Sequence, residues 1–314
     1  MMLLLSVANA SAFYTPTEGV RAMGRGGAYI VRSHDLSAQH YNPAALRNIH
    51  GGLAQVDLAL VSQSVTFERQ GFDPVVNQGK PYTIPSMGVA YGFEHATVAF
   101  GFWTPYAPAF QYAEDGPQRF SMIDSTLIQT SVGPSLSVDV LPWLTLGGSV
   151  AWNTLTVGRQ VVLSTMAESD ENYATDKDIP VDMLVQDLFA IGTTLAVSAR
   201  PNDRFEVALS AQLPVNYGTT GYLHADFSDH FLFETGLITE AAAGDEDIRV
   251  DVGMPLLLRG GMAWTPSDRL EVELSGDYER WSEFDEIVLT DDHAPLERLM
   301  DEVIDRKEGE VRGR

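Results

Sequence analysis

The chain has 314 residues, 45% of them hydrophobic, with 27 Gly, 16 Pro, no Cys and a formal net charge of −23. That is length for one large domain or two ordinary ones, and with only 20% charged and 10% aromatic residues the bulk of it is not disordered. The missing Cys excludes a disulfide scaffold, thiolate zinc sites, Fe–S clusters and thiol catalysis, and the acidity excludes nucleic acid, since phosphate binding needs clustered Lys and Arg.

Residues 1–8 form a short apolar run followed by two overlapping small-x-small sites, Ala8-Asn9-Ala10 and Ala10-Ser11-Ala12. Residues 1–12 therefore read as a secretory signal peptide, although no Lys or Arg precedes the run. Residues 13–52 carry no strand pattern. Their glycines, Gly24, Gly26 and Gly27, form neither a dinucleotide fingerprint nor a P-loop, and a short helix is expected after Asp35.

From residue 53 onward the chain alternates with period 2. Leu144, Leu146, Val150 and Trp152 oppose Thr145, Gly147, Ser149, Ala151 and Asn153. Val207, Leu209 and Ala211 oppose Glu206 and Ser210; Leu270, Val272, Leu274 and Tyr278 oppose Glu271, Glu273, Ser275 and Asp277. Strands are expected to begin near residues 53, 86, 96, 126, 143, 187, 204, 217, 248 and 269, with another at 283–290. Several approach the ~10 residues of a tilted membrane strand. No run reaches the ~20 continuous apolar residues of a spanning helix.

Tight turns recur at Val140-Leu141-Pro142-Trp143, at Pro201-Asn202-Asp203, at Pro266-Ser267-Asp268 and at Glu94-His95. Long polar connections at 69–82, 105–124, 158–182 and 226–247 alternate with them. An antiparallel up-and-down sheet with unlike ends produces this alternation, as outer-membrane barrels do with short periplasmic turns and long outer loops. Trp103, Trp143, Trp152, Trp264, Tyr278 and Trp281 lie at or near strand ends, where interface girdles sit. A soluble β-sandwich would have shorter strands and loops unsorted by length.

Two stretches add a resemblance. The first is Met23-Gly24-Arg25-Gly26-Gly27-Ala28-Tyr29, then Asp35-Leu36-Ser37, then Tyr41-Asn42-Pro43-Ala44-Ala45-Leu46. The second is looser: Trp264-Thr265-Pro266-Ser267-Asp268-Arg269-Leu270, leading to Asp277-Tyr278-Glu279-Arg280-Trp281. In these the sequence resembles the FadL/TodX (OMPP1) family of outer-membrane transporters of long-chain fatty acids or aromatic hydrocarbons.

The resemblance implies an all-β fold: a 14-stranded transmembrane β-barrel plugged by an N-terminal hatch. It assigns 1–12 to the signal peptide, 13–52 to the hatch and 53–314 to the barrel. Hydrophobic substrate would bind inside, near the mature N-terminus, and leave sideways through the wall. The ligand and hatch positions would be Phe13, Gly24, Arg25, Gly26, Asn42, Pro43 and Ala44. Arg259 opposes Leu256, Leu258 and Met262, so it faces the lumen. It is a candidate partner for a substrate carboxylate, with a pair to Glu271 or Glu273 as the plainer reading.

Long-chain fatty acids are the favoured substrate class, and an envelope structural or adhesin-like barrel without a pocket is the alternative. The expected partners are the hydrophobic molecule, outer-membrane lipid and the barrel-assembly machinery; the protein is expected to be a monomer without cofactor or metal. Only about ten or eleven strands are visible, and the chain ends at Arg314 without a terminal aromatic strand. A C-terminally truncated product is expected, with closure by fewer strands as the alternative; residues 295–306 read as an amphipathic helix. His34-Asp35, His224-x-Asp226 and Asp291-Asp292-His293 lack known catalytic spacings, so no enzyme is expected. The acidic stretches 170–178 and 245–247 read as a solvated surface rather than Ca²⁺ sites.

Overall fold

A strand that is apolar on one face and polar on the other must place each face against a matching solvent. The structure, a computed structural model, describes residues 19–164, 178–227, 245–281 and 288–291, so the expected signal peptide, Phe13, the acidic stretch 170–177 and the 295–306 helix lie outside it.

The chain opens with two short helices, α1 (Val20–Gly24) and α2 (Ala38–Tyr41), and a 3-10 turn over Pro43–Asn48. Strands follow: β1 (Gly51–Val61), the small pair β2 (Thr66–Phe67) and β3 (Val75–Val76), β4 (Tyr82–Gly92), β5 (Ala96–Tyr106), β6 (Ala109–Gln111) and β7 (Asp124–Leu141). Then come β8 (Leu144–Ser164), β9 (Asp178–Asn202), β10 (Phe205–Gln212), β11 (Val215–Ala225), β12 (Asp245–Met254), β13 (Leu257–Ser267), β14 (Leu270–Glu279) and β15 (Val288–Asp291).

One antiparallel wall runs in the order β1-β4-β5-β7-β8-β9-β10-β13-β14. The outer half of β9 continues into β11, β12 and β15, so the wall forks above β9. The tight turns fall where the sequence places them, at 93–95, 142–143, 203–204 and 268–269. Other boundaries move. The expected 158–182 loop shrinks, because the β8–β9 ladder continues out to Ser164↔Asp178, with Val162, Ile179 and Val181 buried on its inner face. The first strand, expected from residue 53, runs from Gly51 to Val61, and the strands expected from 204 and 217 are two halves of one path broken at Leu213-Pro214.

The wall is inside out for water. Leu60, Leu209 and Leu274 on its outer face are 70%, 63% and 65% exposed, while Thr145, Ser198 and Glu206 on its inner face are fully buried. Val89, Phe100, Leu146, Leu195, Met262 and Val272 extend the apolar outer surface around the strands. Hydrocarbon is the solvent that suits this surface.

The residues that bury the polar inner face come from the N-terminal segment. Leu36 N–H donates to Gln55 Oε1 on β1 at 2.9 Å, and Val31 N–H donates to Glu273 Oε1 on β14 at 2.9 Å. The two ends of the wall thus meet the same few residues, which means the sheet curls around that segment. Among the described residues no ladder joins β1 to β14.

Candidate functional site

The inner segment is held by side chains of nearly every strand it passes. Gly26 and Gly27 adopt φ of +66° and +84°, and Gly27 N–H returns to Ala22 O at 2.9 Å, so this turn needs glycine to end α1. Gly24 has ordinary backbone and open space around it.

Arg25, next in the turn, donates through Nη2 to Glu271 Oε1 at 2.6 Å and to Glu273 Oε2 at 2.9 Å. Arg32 donates to Glu271 Oε2 at 2.9 Å and to Thr265 Oγ1 at 2.7 Å. The two lumenal acids of β14 therefore pair with the N-terminal segment rather than with Arg259.

Asn42 is fully buried and joins three pieces. Its Oδ1 accepts from Ala44 N–H at 3.0 Å, capping the 3-10 turn that Pro43 begins. Its Nδ2 donates to Ile30 O at 2.7 Å and to Ser198 Oγ on β9 at 3.0 Å. Ala44 O accepts from Ser137 Oγ on β7 at 2.9 Å, and Gln39 Nε2 donates to Ser135 Oγ, also on β7, at 2.9 Å.

Arg259 on β13 is 1% exposed. Its Nη1 donates to His40 O and its Nη2 bonds His40 Nε2, both at 3.0 Å, with the guanidinium 5.6 Å from the Tyr41 ring centre. Burial, and then the Arg259 charge, hold the His40 imidazole well below its ordinary pKa. Neutral His40 accepts at Nε2, which places its proton on Nδ1. Asp277 stands opposite Arg259 in the β13–β14 ladder.

Gln39, His40 and Arg32 carried no motif, yet they make these bonds. The signal that marks their docking places is glycine inside strands, where a close backbone approach needs it. A Cβ on Gly147 would overlap the backbone of Pro43 and Ala44, one on Gly101 would strike Gln39, and one on Gly261 would strike Ile30.

Beside His40 the wall is incomplete. β4 and β5 pair only from Gly92↔Thr97 to Met87↔Phe102. Beyond that, the β5–β7 register shifts between Trp103 and Tyr106, and β4 stays paired with β1. A narrow cleft of about 20 Å³ lies there, lined by Leu36, Gln39, His40, Met87, Phe102 and Trp103 among others. Asp35, of the His34-Asp35 pair, is committed to Tyr29 and Ser37. No group of three His, Asp or Glu among the described residues is placed to hold a metal ion.

A polar-filled, curled wall with a plugging segment and a side cleft has known counterparts. The model of the outer membrane protein transport protein family (OMPP1/FadL/TodX) matches residues 1–305. This chain belongs to the FadL/TodX family. A Pseudomonas aeruginosa FadL homologue aligns with 90% of this chain and 72% of its own, at 16% identity and a TM-score of 0.71. The P. putida toluene transporter TodX aligns with 82% of this chain and 69% of its own, at 15% identity and a TM-score of 0.64. No curated protein matches the sequence. FadL/TodX proteins are outer-membrane β-barrel transport channels, not enzymes, so the inner segment is the hatch and the short turns mark the periplasmic end.

Proposed function

We propose that this FadL/TodX protein is a passive channel for hydrophobic compounds, with long-chain fatty acids as its substrate class. The observation that carries this reading is Arg259: a buried guanidinium that faces the hatch, donating to His40 O and bonding His40 Nε2, with Asp277 opposite it in the β13–β14 ladder. A guanidinium bonds a carboxylate roughly twice as strongly as neutral acceptors. A fatty-acid carboxylate reaching Arg259 would displace His40, and α2 with it. Ligand arrival would then move the hatch beside the β4–β5 cleft, the place where a ligand could leave sideways.

The hydrocarbon tail supplies the affinity, about 0.8 kcal/mol per CH₂ taken out of water. Movement down a gradient needs no energy source. The test is binding and uptake of labelled oleate and toluene by protein refolded into vesicles. Arg259→Gln should weaken oleate binding and leave toluene binding alone. Equal loss of both removes the carboxylate role, and saturable uptake of neither leaves a structural barrel without a pocket.

A further inference from the structure

The wall has a second unzipped stretch, far from the β4–β5 cleft in the strand order. β9 pairs with β10 up to Thr194↔Gln212 and with β11 from Gln186↔Thr220 onward. Between these limits, residues 187–193 and 213–219 form no ladder with each other. Pro214 has no N–H to give and separates β10 from β11. On the other side of β9, the register with β8 shifts between Asn153↔Ala190 and Leu155↔Asp187, which throws Leu188 and Phe189 outward as a bulge.

Few groups are left to cross the gap. At its periplasmic end Leu213 N–H donates to Thr193 O at 2.9 Å. At its outer end a side chain substitutes for backbone: Asp187 Oδ2 accepts from Gly218 N–H at 3.1 Å, and Oδ1 from Phe189 N–H at 2.8 Å.

The two faces of this stretch are both apolar. Outside, Leu188, Phe189 and Ile191 are 62%, 70% and 52% exposed. Trp152 packs against Phe189 and donates Nε1–H to Leu188 O at 2.6 Å. Inside, Ala190, Val215 and Tyr217 belong to a lumenal cluster with Tyr106, Leu155, Val185 and Met254. Tyr217 and Asn153 are buried side by side there.

Depth places the gap. Thr194, where pairing with β10 stops, is eight residues up β9 from Asn202 at the turn. That is about 20 Å of height in a tilted strand, so the lower edge of the gap lies near the top of the ~25 Å apolar band and Asp187, farther up β9, stands above it at the headgroups. Trp152 and Phe189 fit the aromatic girdle of the outer interface at that level.

We propose that the β9–β11 gap is a second lateral opening, through which uncharged apolar molecules pass between the outer leaflet and the lumenal cluster, with the Asp187–Gly218 bond as its latch. Charged substrates are turned away, because the Asp187 carboxylate stands in the opening and Arg249, beside Gly218, is already paired with Asp251 at 3.3 Å. The inference presupposes that the protein is a channel, but not that fatty acids use it.

The natural chain has no Cys, so Leu188→Cys with Asn216→Cys creates its only thiol pair, one on each side of the gap. Both positions are exposed. A bifunctional methanethiosulfonate then straps the opening, and reductant releases it. Toluene and oleate uptake are measured on the same vesicles. Strapping should lower toluene uptake roughly fivefold or more, as blocking a gating step does, and leave oleate uptake unchanged.

Toluene uptake indifferent to the strap, or oleate uptake blocked in its place, overturns the second opening while leaving the fatty-acid route intact. Oleate that never enters, alongside strap-sensitive toluene, sinks the fatty-acid assignment and keeps the opening. If neither probe enters the unstrapped protein, both fall. Asp187→Asn is a separate arm that needs no cross-link in its first step: it removes the charge and should let oleate enter faster than in the parent. Adding the strap should abolish that gain, and an unchanged oleate rate in Asp187→Asn overturns the charge barrier.

Discussion

Asn42 uses every hydrogen-bonding atom of its amide at the point where the hatch meets the wall. Asn42→Ala removes the cap of the 3-10 turn and leaves Ile30 O and Ser198 Oγ in a dry interior. Hatch docking should weaken by about 1–3 kcal/mol, the cost of unmet buried polar groups. No strand pairing depends on Asn42, so the barrel's unfolding midpoint should hardly move. Hydrogen exchange of hatch amides, set beside uptake at equal surface abundance, checks both statements; equal uptake would remove Asn42 from hatch control. His40, two residues earlier, makes docking pH-dependent. Its docked pKa lies well below 6.5, so a released, solvated His40 binds a proton more readily than the docked one. Docking is therefore at full strength above about pH 6.5 and weakens as pH falls below it, by up to about 1.4 kcal/mol per pH unit while the docked ring stays neutral. The groups facing His40 reinforce that sign, since Arg259 would repel an imidazolium. Protease protection of the hatch should be flat from pH 7 to 8 and fall toward pH 5, and His40→Gln should abolish the dependence.

At the scale of elements, the hatch docks because strands carry holes for it. Gly147 on β8 lies against the backbone of Pro43 and Ala44, which cannot move aside as a long side chain could. Gly147→Val should therefore push the 3-10 turn off the wall, at a cost of about 1–3 kcal/mol to docking, while Gly148→Val, which faces the other way with only ordinary contacts, should be mild. Fluorescence of a probe on the hatch would separate the two. The outward alternation and the Pro-Asn-Asp turns were legible in the sequence because each is a local property with a period or a fixed offset. Three things were not. The outer halves of β8 and β9 were hidden because acids such as Asp178 and Asp182 interrupt the apolar count beyond the bilayer, where a polar strand face is affordable. The break at Pro214 looked like an ordinary strand start, since a proline in isolation does not say which neighbour the strand keeps, and the strand that begins at Leu257 after Pro255 was not separated from the one expected from 248. The partners of Glu271 and Glu273 needed the register: it sets Arg259 opposite Asp277 and leaves the two acids nearer the turn for Arg25 and Arg32.

For the whole molecule the question is which solvent touches which face. The 43 acidic residues give the chain a strong negative charge, yet a continuous outer surface from Leu60 to Leu274 carries almost none of it. In water that surface would drive association; in a bilayer it is the matched side of the sheet. The two solvents predict opposite signs for one substitution. Leu209 lies on the outer face of β10, midway along the wall, flanked in the ladder by Val197 and Gly260. Leu209→Arg in a water-facing sheet would be neutral or improve solubility. In hydrocarbon it should destabilise the folded barrel by about 2–4 kcal/mol, the depth-dependent cost of a cation near the midplane. Ser210→Ala, one residue on and facing inward, changes no lipid contact, and its hydroxyl lacks a hydrogen-bond partner, so the barrel should tolerate it. Urea unfolding in phospholipid vesicles measures both, and a harmless Leu209→Arg would take away the membrane on which every opening in this wall depends.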